Sequence, residues 1–189
     1  LLRQIYPQAE IIHYRGAADT RIAKLDSGAL QKLPDGGAVG PADALVMAAA
    51  GLARVGASAR AARLFSIDEM TPAVGQGIVA LECRRDDFAT RARLAAVDDS
   101  QARAEAEAER ELLWILNGHC NAPIAGHARG AGDALSLRGV VLSLDGSSMT
   151  SVDLRGPKDR PRELGRAVGM ALLDQGAGPL IQSARPVIA

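Results

Sequence analysis

From Asp98 to Gly118 the chain reads DDSQARAEAEAERELLWILNG. Ala104, Ala108, Leu112 and Ile115 recur on one side of a 3.6-residue period, with acids and arginines between them. Ser100 is a good N-cap and Gly118 a good stop. A helix with one small, apolar stripe must bury it against another element. The residues that follow provide one. APIAGHARG reads as a strand, and LSLRGVVLSL and SSMTSVDL as two more, joined through Asp145-Gly146, a two-residue hairpin signal. The apolar frame slips at Gly139, from Leu135 and Leu137 to Val140, Leu142 and Leu144, which predicts a bulge. RPRELGRAVGMALLDQGAG is a second amphipathic helix, with Pro161 near its start and Gly176 at its end. Three antiparallel strands with two helices on one face would bury both stripes, so the last half is expected to be a small α+β domain.

The first half has a different texture and reads as α/β. AEIIHYRG is a short strand ending at a glycine, and AADTRIAKLDSG a helix with Ile22 and Leu25 on one face and Gly28 as its stop. LQKLPDGGAVGP is turn chemistry throughout and is expected to be a mobile surface loop. ADALVMAAAG is apolar on both faces, as in a buried parallel strand, and runs into GLARVG, a loop or short helical turn. TPAVGQGIVALECRRDD begins as a crossing segment and becomes a strand from Ile78, with Val79, Leu81 and Cys83 on one face.

Composition excludes several classes. Nearly half of the 189 residues are hydrophobic, so disorder is excluded. The formal net charge is zero and aromatics are scarce, so neither a phosphate-binding field nor a base-stacking platform is present, and no nucleic-acid partner is expected. No apolar run approaches the ~20 residues of a membrane span, and no signal-peptide pattern opens the chain. The chain starts at Leu1 in mid-phrase and is read as part of a longer protein. Two distant cysteines without a CxxC make neither a zinc site nor a disulfide framework, which fits a reducing cytoplasm and no metal.

The two cysteines differ in setting. Cys83 alternates with Val79 and Leu81 and reads as a small core hydrophobe. Cys120 follows a helix C-terminus within NGHCNAPIAG, a loop where a thiol is accessible. The negative end of the helix dipole opposes thiolate formation there, so a cation would have to offset it, and spacing alone leaves a chemical role open. Three arginines sit where an α/β sheet lines its ligand crevice: Arg15 after a strand, Arg21 opening a helix, and Arg54 after a buried strand. Together they would suit a ligand with many carboxylates; singly, each is better explained as a helix cap or a surface pair.

RGAADTRIAKLDSG, ADALVMAAAGLARVG, TPAVGQGIVALECRRDD and AERELLWILNGHCNAPIAGHA follow in the order and approximate spacing of the porphobilinogen deaminase (hydroxymethylbilane synthase) family. The resemblance covers nearly the whole chain. It implies part of a periplasmic-binding-protein-like α/β domain over residues 1–71, carrying the cleft arginines. Residues 72–93 would be a crossing segment and strand of the first domain, and 94–189 a C-terminal domain of three antiparallel strands packed on helices. It also implies a transferase that links four porphobilinogens head to tail, releasing ammonia, to give hydroxymethylbilane for tetrapyrrole and haem biosynthesis. In this family a dipyrromethane cofactor hangs by a thioether from a loop cysteine before x-x-P-I, which here is Cys120. A thiolate captures the azafulvene left by deamination once, and pyrrole carbons capture later ones.

Each pyrrole brings an acetate and a propionate, which accounts for the arginines. The family's cofactor- and substrate-binding arginines map onto Arg15, Arg21 and Arg54, and Gln76 falls in the VGQG hinge block. The implied partners are porphobilinogen and the growing polypyrrole, with a monomeric full-length form and no membrane. The chain also departs from the pattern. Ala17 stands where RGN is usual, His119 replaces the usual glycine before the cofactor cysteine, and residues 30–41 read as an insertion. The family's catalytic aspartate and its S-L-R-R pair would precede Leu1, so no catalytic residue is expected within the chain. The alternatives are a degenerate polycarboxylate- or pyrrole-binding module with the same fold, and a generic α/β binding domain.

Overall fold

The computed structural model describes residues 1–119 and 121–184. It is mixed α and β, with one two-stranded and one three-stranded antiparallel sheet among the described residues. The chain divides into two compact units: Leu2–Ser66, and Leu1 with the chain from Ile67 onward. None of the described helices is long and apolar enough to cross a membrane.

The first unit holds α1 (Leu2–Ile5), α2 (Ala18–Ser27), β1 (Gln31–Lys32), β2 (Ala38–Val39), α3 (Ala49–Arg54) and a 3-10 turn at Ser58–Arg60. Helix α2 ends as its glycine requires: Gly28 is left-handed at φ 62°, and the Gly28 and Ala29 N–H groups return to the Leu25 and Lys24 carbonyls. The stretch expected to be a mobile loop is instead the β1–β2 hairpin, whose turn is fixed by Asp35 Oδ1 accepting from the Gly37 N–H at 2.9 Å. Two expected strands do not form. AEIIHYRG and ADALVMAAAG have no ladder partner, and the latter passes into α3 with Val46 49% exposed. A strand apolar on both faces is held by neighbours on each side, and no described strand pairs with either segment. No apolar side chain of Leu2–Ser66 is fully buried. Polar and ring contacts join its ends: Arg63 Nη1 donates to the Tyr6 hydroxyl at 2.9 Å and the Tyr6 and Phe65 rings meet edge to face at 6.4 Å, while Arg60 pairs with Asp26 through its two terminal nitrogens.

The second unit contains α4 (Phe88–Ala95), α5 (Ser100–Ile115), β3 (Ile124–Ala131), β4 (Ala134–Leu142), β5 (Met149–Pro157), α6 (Pro161–Asp174) and α7 (Ala177–Ser183). The N-cap of α5 is Asp99, one residue before the expected Ser100; its carboxylate accepts from the Gln101 and Ala102 N–H groups. The sheet runs β3-β4-β5, wholly antiparallel. Ala108 and Leu112 of α5, Val168 and Leu172 of α6, and Leu135, Leu137 and Val141 of the sheet form one core. Burying each such leucine contributes about 2 kcal/mol. Helices α5 and α6 meet closely because Gly165 and Gly169 lack side chains: a Cβ at Gly165 would collide with the Ala108 carbonyl, and one at Gly169 would lie 2.7 Å from Ile115 Cγ2.

Gly139 makes no bulge. Its register is continuous, opposite Gly126 on one side and Val152 on the other. The frame slip has another cause. Leu135, Leu137 and Val141 face the helices, while Val140 and Leu142 join Ala125 in a smaller cluster. Gly139 faces Val168 and Leu172, which occupy the space a Cβ would need. The β4–β5 loop is also longer than a two-residue turn. Leu142 pairs with Met149, and Asp145-Gly146 sits at the tip of a loop closed by the Ser143 N–H to the Ser148 carbonyl.

The outer edge of β3 is closed by side chains. The Gly126, Ala128 and Gly130 N–H groups point away from β4, to the Pro72 carbonyl, Glu109 Oε1 and Glu105 Oε1. The match is geometric. Four residues along a helix rise about 6 Å, and two along a strand about 6.7 Å. Glu105 and Glu109 therefore reach two successive outward amides.

Candidate functional site

The candidate residues fall in both units. Arg15 lies in the irregular segment before α2, and its main chain is fixed from both sides. Its N–H donates to Gln31 Oε1 at 3.0 Å, and its carbonyl accepts from Lys24 Nζ at 3.0 Å. Lys24 Nζ also donates to Gln31 Oε1 at 2.9 Å, so Lys24 and the buried Gln31 form a bracket around Arg15. Sequence reading missed both, because a side chain that holds a backbone carbonyl leaves no periodic pattern.

Arg21 lies on α2, half-buried. Its stem passes Gly16, where a Cβ would lie 3.7 Å from Arg21 Cγ and 3.2 Å from Thr20 Cγ2. Gly16 has φ 134°, a conformation side-chain-bearing residues rarely adopt. Gly16 thus lets Arg15 and Arg21 share one corner of the unit. Arg21 Nε is buried and has no acceptor, an unsatisfied donor that a ligand carboxylate would complete. Arg54 is the last residue of α3 and is exposed. None of these three arginines forms an ion pair among the described residues. Polar contacts bring Arg15 together with Lys24 and Gln31, and packing brings Arg21 beside it; no such contact ties Arg54 to them.

Gln76 belongs to the second unit. It is exposed in a tight turn between Gly75 and Gly77, both with positive φ. The turn is anchored where the Gly75 N–H donates to Glu109 Oε2 at 2.6 Å. Glu109 is 2% exposed, and burial pushes its carboxyl above the usual range, against the opposing effect of its two backbone hydrogen bonds. Gln76 and Cys83 both line an open groove of about 1320 Å³ along α5. Cys83 is therefore not the expected core residue: it is half-buried, and its neighbours Val79 and Leu81 are 78% and 58% exposed. The segment from Ile78 that was expected to be a strand has no ladder partner among the described residues.

Cys120 lies outside the described residues. Its sequence neighbours are described. The Leu116, Asn117 and Gly118 N–H groups satisfy the Leu112, Trp114 and Leu113 carbonyls, so the α5 terminus is capped before the loop begins. Asn117 takes a left-handed φ of 50° to do this. His119 Nδ1 accepts from the Asn121 N–H at 3.3 Å, which places the ring proton on Nε2. His119 Nε2 is buried without a partner.

One corner with unpaired arginines and a capped loop, set in a mixed α/β frame, are what the described residues offer as a site. Comparison with known proteins makes this specific. Residues 1–92 match the family model for porphobilinogen deaminase, dipyromethane cofactor binding domain, and residues 103–174 match that for porphobilinogen deaminase, C-terminal domain. The chain belongs to the porphobilinogen deaminase family. It is 38% identical over 181 residues to the porphobilinogen deaminase of Syntrophobacter fumaroxidans, covering 96% of this chain and 55% of that protein. It is 39% identical over 180 residues to that of Xanthomonas oryzae pv. oryzae, covering 95% and 55%. The chain thus spans about half the length of the curated relatives it matches. Membership replaces the reading as a generic α/β binding domain.

Proposed function

We propose that this chain is the cofactor-anchoring part of a hydroxymethylbilane synthase, which joins four porphobilinogens head to tail with loss of ammonia. In this reading residues 1–71 belong to a lobe like those of periplasmic binding proteins. Residues 72–93 cross to the neighbouring lobe, and 94–189 form the domain that carries the cofactor on Cys120. The partners are porphobilinogen and the growing polypyrrole. The setting is cytoplasmic and the full-length form monomeric, in keeping with two cysteines that make no disulfide framework.

The observation that carries the reading is Arg21 Nε, buried and without an acceptor in the segment matched by the cofactor-binding model. Leaving such a donor unmet costs about 1–3 kcal/mol. A propionate or acetate of the dipyrromethane would meet it, so the residues fit the group. When bound, the group supplies the nucleophilic pyrrole carbon that starts the chain. The residues here do the rest of the holding. Arg21 and Arg15 grip carboxylates as forks, Arg54 adds a third positive charge, and Lys24 with Gln31 keeps the Arg15 backbone still. Gln76, on its tight turn, donates to the same class of ligand. Cys120, as thiolate, would add once to the methylene carbon of the azafulvene left when ammonia departs, forming one carbon–sulfur bond as the exocyclic double-bond electrons return to the pyrrole ring.

Intact mass measurement tests this. The protein carrying this chain, made in a cell that synthesises porphobilinogen, should carry a dipyrromethane adduct that Cys120→Ser abolishes. Unmodified wild-type protein would favour instead a non-catalytic binding module of the same fold.

A further inference from the structure

Helices α5, α6 and α7 pack on the Leu135, Leu137 and Val141 face of the three-stranded sheet, and its other face carries a cluster that the proposed function leaves unused. Strand register puts Arg129, Ser136 and Arg155 in one cross-strand row and His127, Arg138 and Asp153 in the next. These six residues line an open cavity of about 470 Å³ together with Ile67, Asp68 and Leu154. Arg138 is occupied: its Nη1 lies 3.2 Å from Asp153 Oδ2 and 3.6 Å from Asp68 Oδ1. Its Nε has no acceptor. Arg129 and Arg155 have no ion pair among the described residues. Both nearby acids are thus engaged by Arg138, leaving two guanidiniums uncompensated on either side of Ser136.

We propose that this face is a further binding site, for a small organic anion with two carboxylates, gripped by Arg129 at one end and Arg155 at the other. The spacing favours two separated charges over one. Arg129 and Arg155 stand on the outer strands, so their backbones are about 10 Å apart. A single compact anion would have to draw both long side chains inward, whereas a dicarboxylate can span them with a fork at each end. Ser136 donates its hydroxyl to the Arg129 carbonyl at 3.1 Å, leaving its oxygen lone pairs at the centre of the row. An acyclic diacid and a pyrrole bearing acetate and propionate share this chemistry.

Titration calorimetry on the full protein, with amide shifts followed at Ser136 and Leu154, reads the site. Glutarate and porphobilinogen serve as the acyclic and pyrrolic probes, with acetate and inorganic phosphate as controls. At least one diacid should bind with shifts at those amides, and whichever does so identifies the source. Arg129→Gln and Arg155→Gln should each weaken that binding about tenfold, the effect of one charge-assisted pair, and the double variant should abolish it. Both side chains are exposed, so the variants should keep the wild-type circular dichroism. The proposal fails if neither diacid shifts those amides, if the double variant binds as wild type does, or if acetate or phosphate binds as tightly as the diacid.

Discussion

Glu109 joins the Gly75 turn to strand β3: one carboxylate oxygen accepts from the Gly75 N–H at 2.6 Å and the other from the Ala128 N–H at 2.8 Å. Both acceptors are needed, because both donors are backbone groups with no alternative. Glu109→Gln turns one acceptor into a donor facing a donor, and should lower stability by about 1–3 kcal/mol in denaturant unfolding.

The same residue gives a pH signature. Burial raises its folded-state pKa above the ordinary 4.5. Its contribution is therefore fully present below pH 4.5 and is lost as pH rises through the raised value, because the folded state binds the extra proton in that window. Subtracting the stability profile of Glu109→Gln from that of wild type should leave a difference that falls with rising pH. A flat difference would assign the carboxyl an ordinary pKa.

Gly165→Ala should destabilise the protein. Alanine is the better helix former by about 1 kcal/mol, but its Cβ would strike the Ala108 carbonyl and force α5 and α6 apart, a strain of about 1–3 kcal/mol. Thermal melts would show the sign, and Gly165→Ala is expected to melt below wild type.

At the β4–β5 tip, Asp145 accepts from Ser143 Oγ, then from the Ser147 N–H and hydroxyl, and its pKa is lowered to about 2. Its contribution to the turn is present above the ordinary 3.8 and disappears as pH falls through about 2. A carboxyl carbon NMR titration should find that midpoint. Ser143→Ala should move it upward most, since the Ser143 hydroxyl is the largest cause.

For the proposed cofactor site, Arg21→Leu should weaken retention of the bound polypyrrole by about 1.5–3 kcal/mol, the effect of one charged hydrogen-bonded pair. Lys24→Met should act indirectly, loosening the Arg15 backbone with a smaller loss. Competition with a pyrrole dicarboxylate would rank the two, and equal losses would remove the distinction between gripping and positioning.

The C-terminal elements were legible because their signals are local. The α5 stripe, Pro161 at the start of α6 and the alternation along β4 each depend on residues within one or two turns. Gly139 misled because alternation assumes one buried face, and here Val140 and Leu142 are buried on the second. The segments at 9–16, 42–51 and 78–84 have apolar character without a described strand partner, and a single sequence cannot say whether such a run is paired. Of the proposed site, the arginines were singled out by places beside expected strand and helix ends, but the strands before Arg15 and Arg54 do not form, and only the place of Arg21 in the first turn of α2 is as read. The Lys24–Gln31 bracket and the unmet donor on Arg21 were not legible, because each depends on which distant backbone or side-chain atom comes within about 3 Å.

The closed edge of β3 bears on how this chain behaves among its own copies. An open strand edge templates growth by donating amides to whatever extended segment arrives. Here Pro72, Glu105 and Glu109 already hold the outward amides of Gly126, Ala128 and Gly130. An arriving segment therefore finds no free amide at these three positions, and replacing Glu105 and Glu109 together by alanine should bring on an edge-to-edge self-association that the wild-type chain resists.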